Sequence, residues 1–216
     1  MPVFCFVAIL TENLKNMVCF DIGGVLAKIS TTWGDAAANA GIDLGNEDAC
    51  KQSMHHCPNF DEYQNGLVTT EQYLSSLSQF LEVGKDEAER VHAGILVSPY
   101  EGTIELVTDL CNSGRKTACL SNTNERHWPT LISKKHYPAI AMLDFKVASH
   151  EIKLMKPDSE AYEEFQRITN TTAAEIVFFD DGAGNVGGAN ACGWQAHRID
   201  PSGDPVLQMR EILGLS

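Results

Sequence analysis

The chain has 216 residues, 44% hydrophobic and 21% charged, which suits one moderate globular domain or a core with an insertion. Its formal net charge of -13 repels nucleic acid, anionic membrane surfaces and phosphorylated ligands alike, so any anion site must bring a metal or local cations. No apolar run approaches the roughly 20 residues of a membrane-spanning helix.

In chain order, residues 1–16 open with the apolar "MPVFCFVAIL". No Lys or Arg precedes that run and no small-residue cleavage pattern follows it, so it is not read as a signal peptide. Met17 stands just before the first strand, and residues 1–16 are expected to be an upstream extension outside the native start. Short apolar runs predict buried strands at Val18–Ile22, Thr117–Leu120, Phe145–Ala148, Ile176–Phe179 and Gln195–Ile199. Helical patterns lie between them at Thr103–Asn112, Asn124–Ser133, Ser159–Thr169, Gly184–Ala191 and Pro205–Leu213. Such alternation argues for an α/β fold, a parallel sheet with helices on both faces. Thr172 and Glu175 predict a capping box on a short helical turn, and Gly193 closes the helix before the last strand. Residues 31–97 break the rhythm. They hold helical pieces at Gly34–Ala40, Glu47–Met54, Phe60–Gly66, Thr70–Leu81 and Lys85–Leu96 with no strand, and read as a helical insertion after the first strand.

The seven cysteines are odd in number and irregular in spacing. Cys19, Cys111 and Cys119 lie inside apolar segments, which predicts buried free thiols in a reducing, cytoplasmic compartment. The run His55-His56-Cys57 has no second ligand pair at zinc spacing, and a structural role is expected for it.

In an open parallel sheet, ligands bind outside the carboxyl ends of the strands. Asp21 follows the first strand, Ser121 and Asn122 the second, Asp180 and Asp181 the fourth. Each alone is an ordinary turn or cap residue. Together they gather three carboxylates that need a cation at neutral pH, and an all-oxygen set suits Mg2+. Lys156, just before Pro157 and a helix, can supply positive charge, with Lys153 as a rival.

Asp21 in "FDIGGVL", Ser121 in "LSNTN", Lys156 in "MKPDSEAYE" and Asp180-Asp181 in "VFFDDGAGNVGGA" resemble, in order and spacing, the four motifs of the haloacid dehalogenase (HAD) superfamily. The resemblance covers about residues 17–200, and "LSNTNERH" with "FFDD" looks closest to the α-glucose-1-phosphate phosphatase-like branch. It implies a Rossmann-like three-layer core over 17–30 and 98–216 with an α-helical cap over 31–97. It further implies a Mg2+-dependent phosphatase of a small phosphorylated metabolite, a sugar phosphate or sugar-1-phosphate, as a monomer or homodimer. By that resemblance Asp21 is the nucleophile that forms an aspartyl phosphate. Asp21, the Gly23 carbonyl, Asp181 and, beside it, Asp180 are the metal residues. Ser121 and the Asn122 amide hold phosphate oxygens, and Lys156 balances charge.

The sequence departs from the superfamily at Gly23, where most of its phosphatases carry a second aspartate that protonates the leaving group and activates water. General acid–base help is worth ~10²–10⁴ in rate. The resembling branch also carries Gly here. Three explanations stay open: an inactive sugar-phosphate binder or regulator, a better leaving group such as a hemiacetal, or a substitute residue. His127, six residues after Ser121, is the first stand-in to test, against packing beside Trp128. Phe60, Tyr63, Gln64 and Asn65 are cap candidates for specificity.

Two rival readings rest on single features. "GAGNVG" at 182–187, with Asp200 after the next strand, imitates a dinucleotide-binding turn, but the paired aspartates oppose a pyrophosphate and too little chain follows. Receiver domains place their acid pair before the phosphorylated aspartate, not after it. The same pair argues against dehalogenation, which needs no metal.

Overall fold

The computed structural model describes residues 16–215, so all of the expected extension except Asn16 lies outside it. Among the described residues seven strands run in chain order: β1 (Met17–Phe20), β2 (Ala27–Ile29), β3 (Leu96–Pro99), β4 (Lys116–Ser121), β5 (Phe145–Ala148), β6 (Ile176–Asp180) and β7 (Gln195–Arg198). Five of them form a parallel sheet in the order β5-β4-β1-β6-β7. After β1 the chain builds outward through β4 and β5, then returns to lay β6 on the other side of β1. The carboxyl end of β1 is therefore the point where the connections diverge, and a crevice opens there.

The central strands are buried on both faces, which is why their sequences are unbroken apolar runs. Period-two alternation divides them. Val18, Phe20, Cys119, Val177 and Phe179 pack against Leu106, Leu110, Val206 and Met209 of helices Thr103–Asn112 and Pro205–Leu213. Met17, Cys19, Leu120 and Phe178 pack against Tyr162, Phe165 and Ala189 of helices Ser159–Thr169 and Ala183–Ala191. The result is a Rossmann-like three-layer α/β core.

Between β1 and β4 the chain leaves and re-enters the core through β2 and β3, an antiparallel pair with a register shift at Lys28/Ile29. Beyond that pair lies the inserted α-helical cap, with helices Trp33–Ala40, Glu47–Lys51, Phe60–Gln64, Thr70–Leu81 and Lys85–Ala93 around a 3-10 turn, Met54–His56. The cap buries its own cluster, including Trp33, Tyr63, Tyr73, Leu77 and Leu81. Thr69 starts helix Thr70–Leu81 with a reciprocal capping box to Gln72.

Helices Thr70–Leu81, Thr103–Asn112, Ser159–Thr169 and Pro205–Leu213 and strand β5 fall on their expected residues. Others do not. The pair β2/β3 was not anticipated, because three- and four-residue strands carry too little alternation to read. Helix Lys85–Ala93 stops at Gly94, so Leu96 belongs to β3. Helix Glu47–Lys51 ends early and passes into the 3-10 turn. The helix expected over Asn124–Ser133 shrinks to Trp128–Leu131, because the Asn124 carboxamide accepts the Arg126 and His127 amides and holds a turn instead. The six described cysteines are unpaired, but Cys111 is exposed rather than buried.

Candidate active site

Asp21 stands one residue past β1, where its amide extends the ladder by donating to the Phe179 carbonyl at 2.8 Å. Its Oδ1 accepts from the Ile22 amide at 2.7 Å and pairs with Lys156 Nζ at 3.0 Å. Lys156 Nζ also donates to Asp180 Oδ2 at 2.6 Å and lies 5.3 Å from the centre of the Phe178 ring. The ammonium is fully buried, while Asp21 keeps a narrow exposed face. Lys153, its rival, is exposed and caps helix Ser149–Ile152 in a left-handed conformation.

Lys156 is placed by a two-point clamp. The Asn122 carboxamide donates to its carbonyl at 2.8 Å and accepts from its amide at 3.0 Å. The Asn122 side chain is thus spent on the lysine loop, which corrects any reading of it as a phosphate ligand and leaves only its backbone N–H for that role. On the far side, a Cβ on Gly188 would stand 2.6 Å from the Pro157 carbonyl, so a glycine there lets the helix pack against the loop.

Asp180 is wholly buried and saturated. Besides Lys156 it accepts from the Gly182 amide at 2.8 Å and from Asn185 Nδ2 at 3.0 and 3.1 Å. Asp181 is half-buried, and its carboxylate accepts from its own backbone amide. Ligand oxygens of Asp21, Asp180 and Asp181 lie within 4.8 Å of one another, the one such acidic, His or Cys group among the described residues. A Cβ on Gly24 would stand 2.6 Å from Asp181 Oδ2, and its φ is +72°. Gly24 is therefore required twice, for its left-handed turn and for the approach of Asp181.

Burial pushes the Asp21 carboxyl up to about 7; Lys156 pulls against this, and Asp180 and Asp181 add to it. Burial and then Asp180 raise Asp181 as well. Burial disfavours the Lys156 ammonium, but Asp21 and Asp180 outweigh it and hold its pKa above the usual lysine range. One buried cation thus faces three carboxylates, an excess of negative charge that a divalent cation fits.

A cleft of about 400 Å3 opens over these groups. The core lines it with Asp21, Gly23, Ser121, Asn122, Asp181 and Asn185, and the cap with Ser53, Met54, His55, Phe60 and Gln64. Ser121 ends β4, buried, with its hydroxyl unpaired among the described residues. Of the four cap candidates, Phe60 and Gln64 reach the cleft; Tyr63 instead stacks on Tyr73 at 4.4 Å, and Asn65 is not in the lining. His127 also lines the cleft, but its ring is committed. Nε2 donates to the His92 carbonyl at 2.9 Å, Nδ1 accepts from Asn124 Nδ2 at 3.3 Å, and the ring stacks on His92 at 4.0 Å. Burial lowers it to about 4, so it is neutral near pH 7.

The model of the haloacid dehalogenase-like hydrolases matches residues 15–193. The chain belongs to that family. This HAD hydrolase is 29% identical over 153 residues to the phosphatase MT3486 of Mycobacterium tuberculosis, an alignment spanning 66% of this chain and 68% of that protein. Its fold matches a predicted HAD-like hydrolase from Porphyromonas gingivalis with a TM-score of 0.75 at 18% identity, over 94% of this chain and all of the other. It also matches the HAD enzyme BT-2542 of Bacteroides thetaiotaomicron in complex with magnesium and inorganic phosphate, with a TM-score of 0.71 at 18% identity over 88% and 96% of the two chains. The L-2-haloacid dehalogenase of Xanthobacter autotrophicus shares the fold at a TM-score of 0.60, 18% identity and coverage of 92% and 82%.

Within the HAD hydrolase the rival features find other uses. The first amide of "GAGNVG" is bonded to Asp180, and Asn185 within it steadies the same carboxylate. That turn serves the carboxylate site, not a pyrophosphate. Cys57 points into the cap core while His55 and His56 are exposed, so the three do not converge. Ser53, His55 and Asn185 are site residues that sequence reasoning missed. The recurrence of Asn inside the glycine-rich turn was the signal available for Asn185; no spacing rule announces the other two.

Proposed function

We propose that this HAD hydrolase is a Mg2+-dependent phosphatase of a small phosphorylated metabolite, with a sugar phosphate favoured, and that it works through an aspartyl phosphate on Asp21. The observation that carries this reading is the buried chain Asp21–Lys156–Asp180, with the ligand oxygens of Asp21, Asp180 and the half-buried Asp181 within 4.8 Å of one another. Lys156 orients the Asp21 carboxylate and offsets its charge, so the free oxygen is aimed at an incoming phosphorus. The Ser121 hydroxyl and the Asn122 backbone N–H receive phosphoryl oxygens. Asp21, Asp181 and the Gly23 carbonyl would hold Mg2+, with Asp180 behind them, and the bound ion supplies the positive charge that phosphoryl transfer requires.

Asp21 attacks in line, the ester oxygen departs, and water then frees the phosphate. The cap, over residues 31–97, closes the cleft against bulk water and contacts the leaving group through Phe60 and Gln64. His127 in this reading positions the seam between cap and core. The M. tuberculosis relative's designation as a phosphatase and the magnesium and phosphate held by BT-2542 support the reading. So does the acid pair against metal-free dehalogenation. Six unpaired cysteines agree with a reducing, cytoplasmic setting.

Gly23 favours one second reading, a sugar-phosphate binder without turnover. Hydrolysis of p-nitrophenyl phosphate with Mg2+, abolished in Asp21→Asn, supports the enzyme. A silent wild type that still binds sugar phosphates by calorimetry supports the binder.

A further inference from the structure

Resting on the phosphatase reading above, we propose that His55, held by Asp61, performs the proton transfers for which position 23 has no side chain. Gly23 offers no side chain, and the atom nearest a Cβ built there is the apolar tip of Ile29 from β2, its Cδ1 at 2.8 Å, so no polar group stands in that place. The proton donor must therefore come from elsewhere in the cleft.

Four titratable side chains line it: Asp21, Asp181, His127 and His55. Asp21 and Asp181 sit on the phosphoryl side with Lys156 beneath them. His127 has both ring nitrogens in hydrogen bonds. That leaves His55, which the cap's 3-10 turn brings into the cleft lining, on the cap wall rather than the core wall of the carboxylates, where the leaving group is proposed to lie. Its Nδ1 meets Asp61 Oδ1 at 2.6 Å, and the edge of the buried Phe60 ring braces it at 5.5 Å between centroids. A carboxylate on Nδ1–H fixes the tautomer and leaves Nε2 as the working nitrogen, the arrangement that makes an imidazole a general acid and base. His56, its neighbour, turns its Nδ1 to the Ser53 carbonyl at 3.3 Å and is outside the lining.

The steps balance. As the Asp21 oxygen bonds to phosphorus, the bond from phosphorus to the ester oxygen breaks, and the His55 Nε2 proton passes to that oxygen to release an alcohol. Neutral His55 then takes a proton from water as the water oxygen attacks the aspartyl phosphate. The Asp21–phosphorus bond breaks, the carboxylate is restored, phosphate leaves, and His55 is protonated again.

The His55–Asp61 pair is more than half exposed, so His55→Gln should fold normally. The test compares kcat/KM for phenyl phosphate, a poor leaving group, and p-nitrophenyl phosphate, a good one, with Mg2+ in the wild type, Asp21→Asn, His55→Gln and His56→Gln. The expected result is a loss of ~10² or more on phenyl phosphate in His55→Gln and a loss at least tenfold smaller on p-nitrophenyl phosphate. His56→Gln should keep the wild-type ratio of the two. Equal losses on both esters, or no loss, in His55→Gln while Asp21→Asn is dead would overturn the role of His55 and leave the phosphatase reading standing. A wild type inactive on both esters would sink that reading and this inference together.

Discussion

Asp180 and Asp181 are neighbours with opposite situations. Asp180 is enclosed by Lys156, Asn185 and the Gly182 amide, so it holds the lysine; Asp181 is half-buried and lines the cleft. The buried lysine is the point of greatest stake, because two carboxylates depend on it. Lys156→Met should cost about 3–5 kcal/mol in denaturant unfolding, since it leaves buried charge unmatched, and should also abolish turnover. Gly24 carries a different constraint. Gly24→Ala forces a side chain into a left-handed turn and against Asp181, so Mg2+ affinity, read by titration calorimetry, should fall at least tenfold. An unchanged affinity would show that Asp181 does not need its present position.

At the scale of elements, the site depends on two attachments. Asn122, at the end of β4, clamps the loop that carries Lys156. Asn122→Ala should lower kcat more than it raises KM, with a stability cost of about 1–3 kcal/mol for the buried Lys156 amide and carbonyl left without partners. The cap seats on the core at Gly66, where a Cβ would come within 2.4 Å of the His150 carbonyl, and nearby Ser149 Oγ donates to the Gln64 carbonyl at 2.6 Å. Gly66→Ala should push the cap off its seat and raise KM several-fold. The sheet strands and the long helices were legible in the sequence because apolar runs and helical periods are set locally. The grouping of Asp21, Ser121 and Asp181 was legible because strand ends mark the crevice, and Lys156 because a lysine before Pro157 and a helix start needs a reason. The β2/β3 pair, the shortened helix at Trp128 and the reach of His55 into the cleft were not. Those depend on a bulge, a side-chain turn and the packing of the cap, none of which leaves a period in the chain.

For the whole molecule, a net charge of -13 attracts divalent cations and repels phosphate esters, so in the proposed function the cation must screen the ester at the site. The carboxylate cluster also shapes stability. With its pKa pushed up to about 7 by burial, Asp21 binds its proton more tightly folded than unfolded. Its contribution is complete below the ordinary carboxylate range and is lost as pH rises through about 7. A cation that replaces the proton should restore it. Mg2+ should therefore raise Tm more at about pH 8 than at about pH 5, and Asp181→Asn should shrink that difference. Equal Mg2+ effects at both pH values would mean that the ion binds elsewhere. In the proposed reaction Asp21 accepts the phosphoryl group. Acid quenching of the enzyme during Mg2+-dependent turnover of p-nitrophenyl phosphate, followed by peptide mass mapping, measures this directly. One phosphoryl group is expected on Asp21, absent from Asp21→Asn; turnover with that peptide unmodified and Asp21→Asn still active would rule out Asp21 as the acceptor.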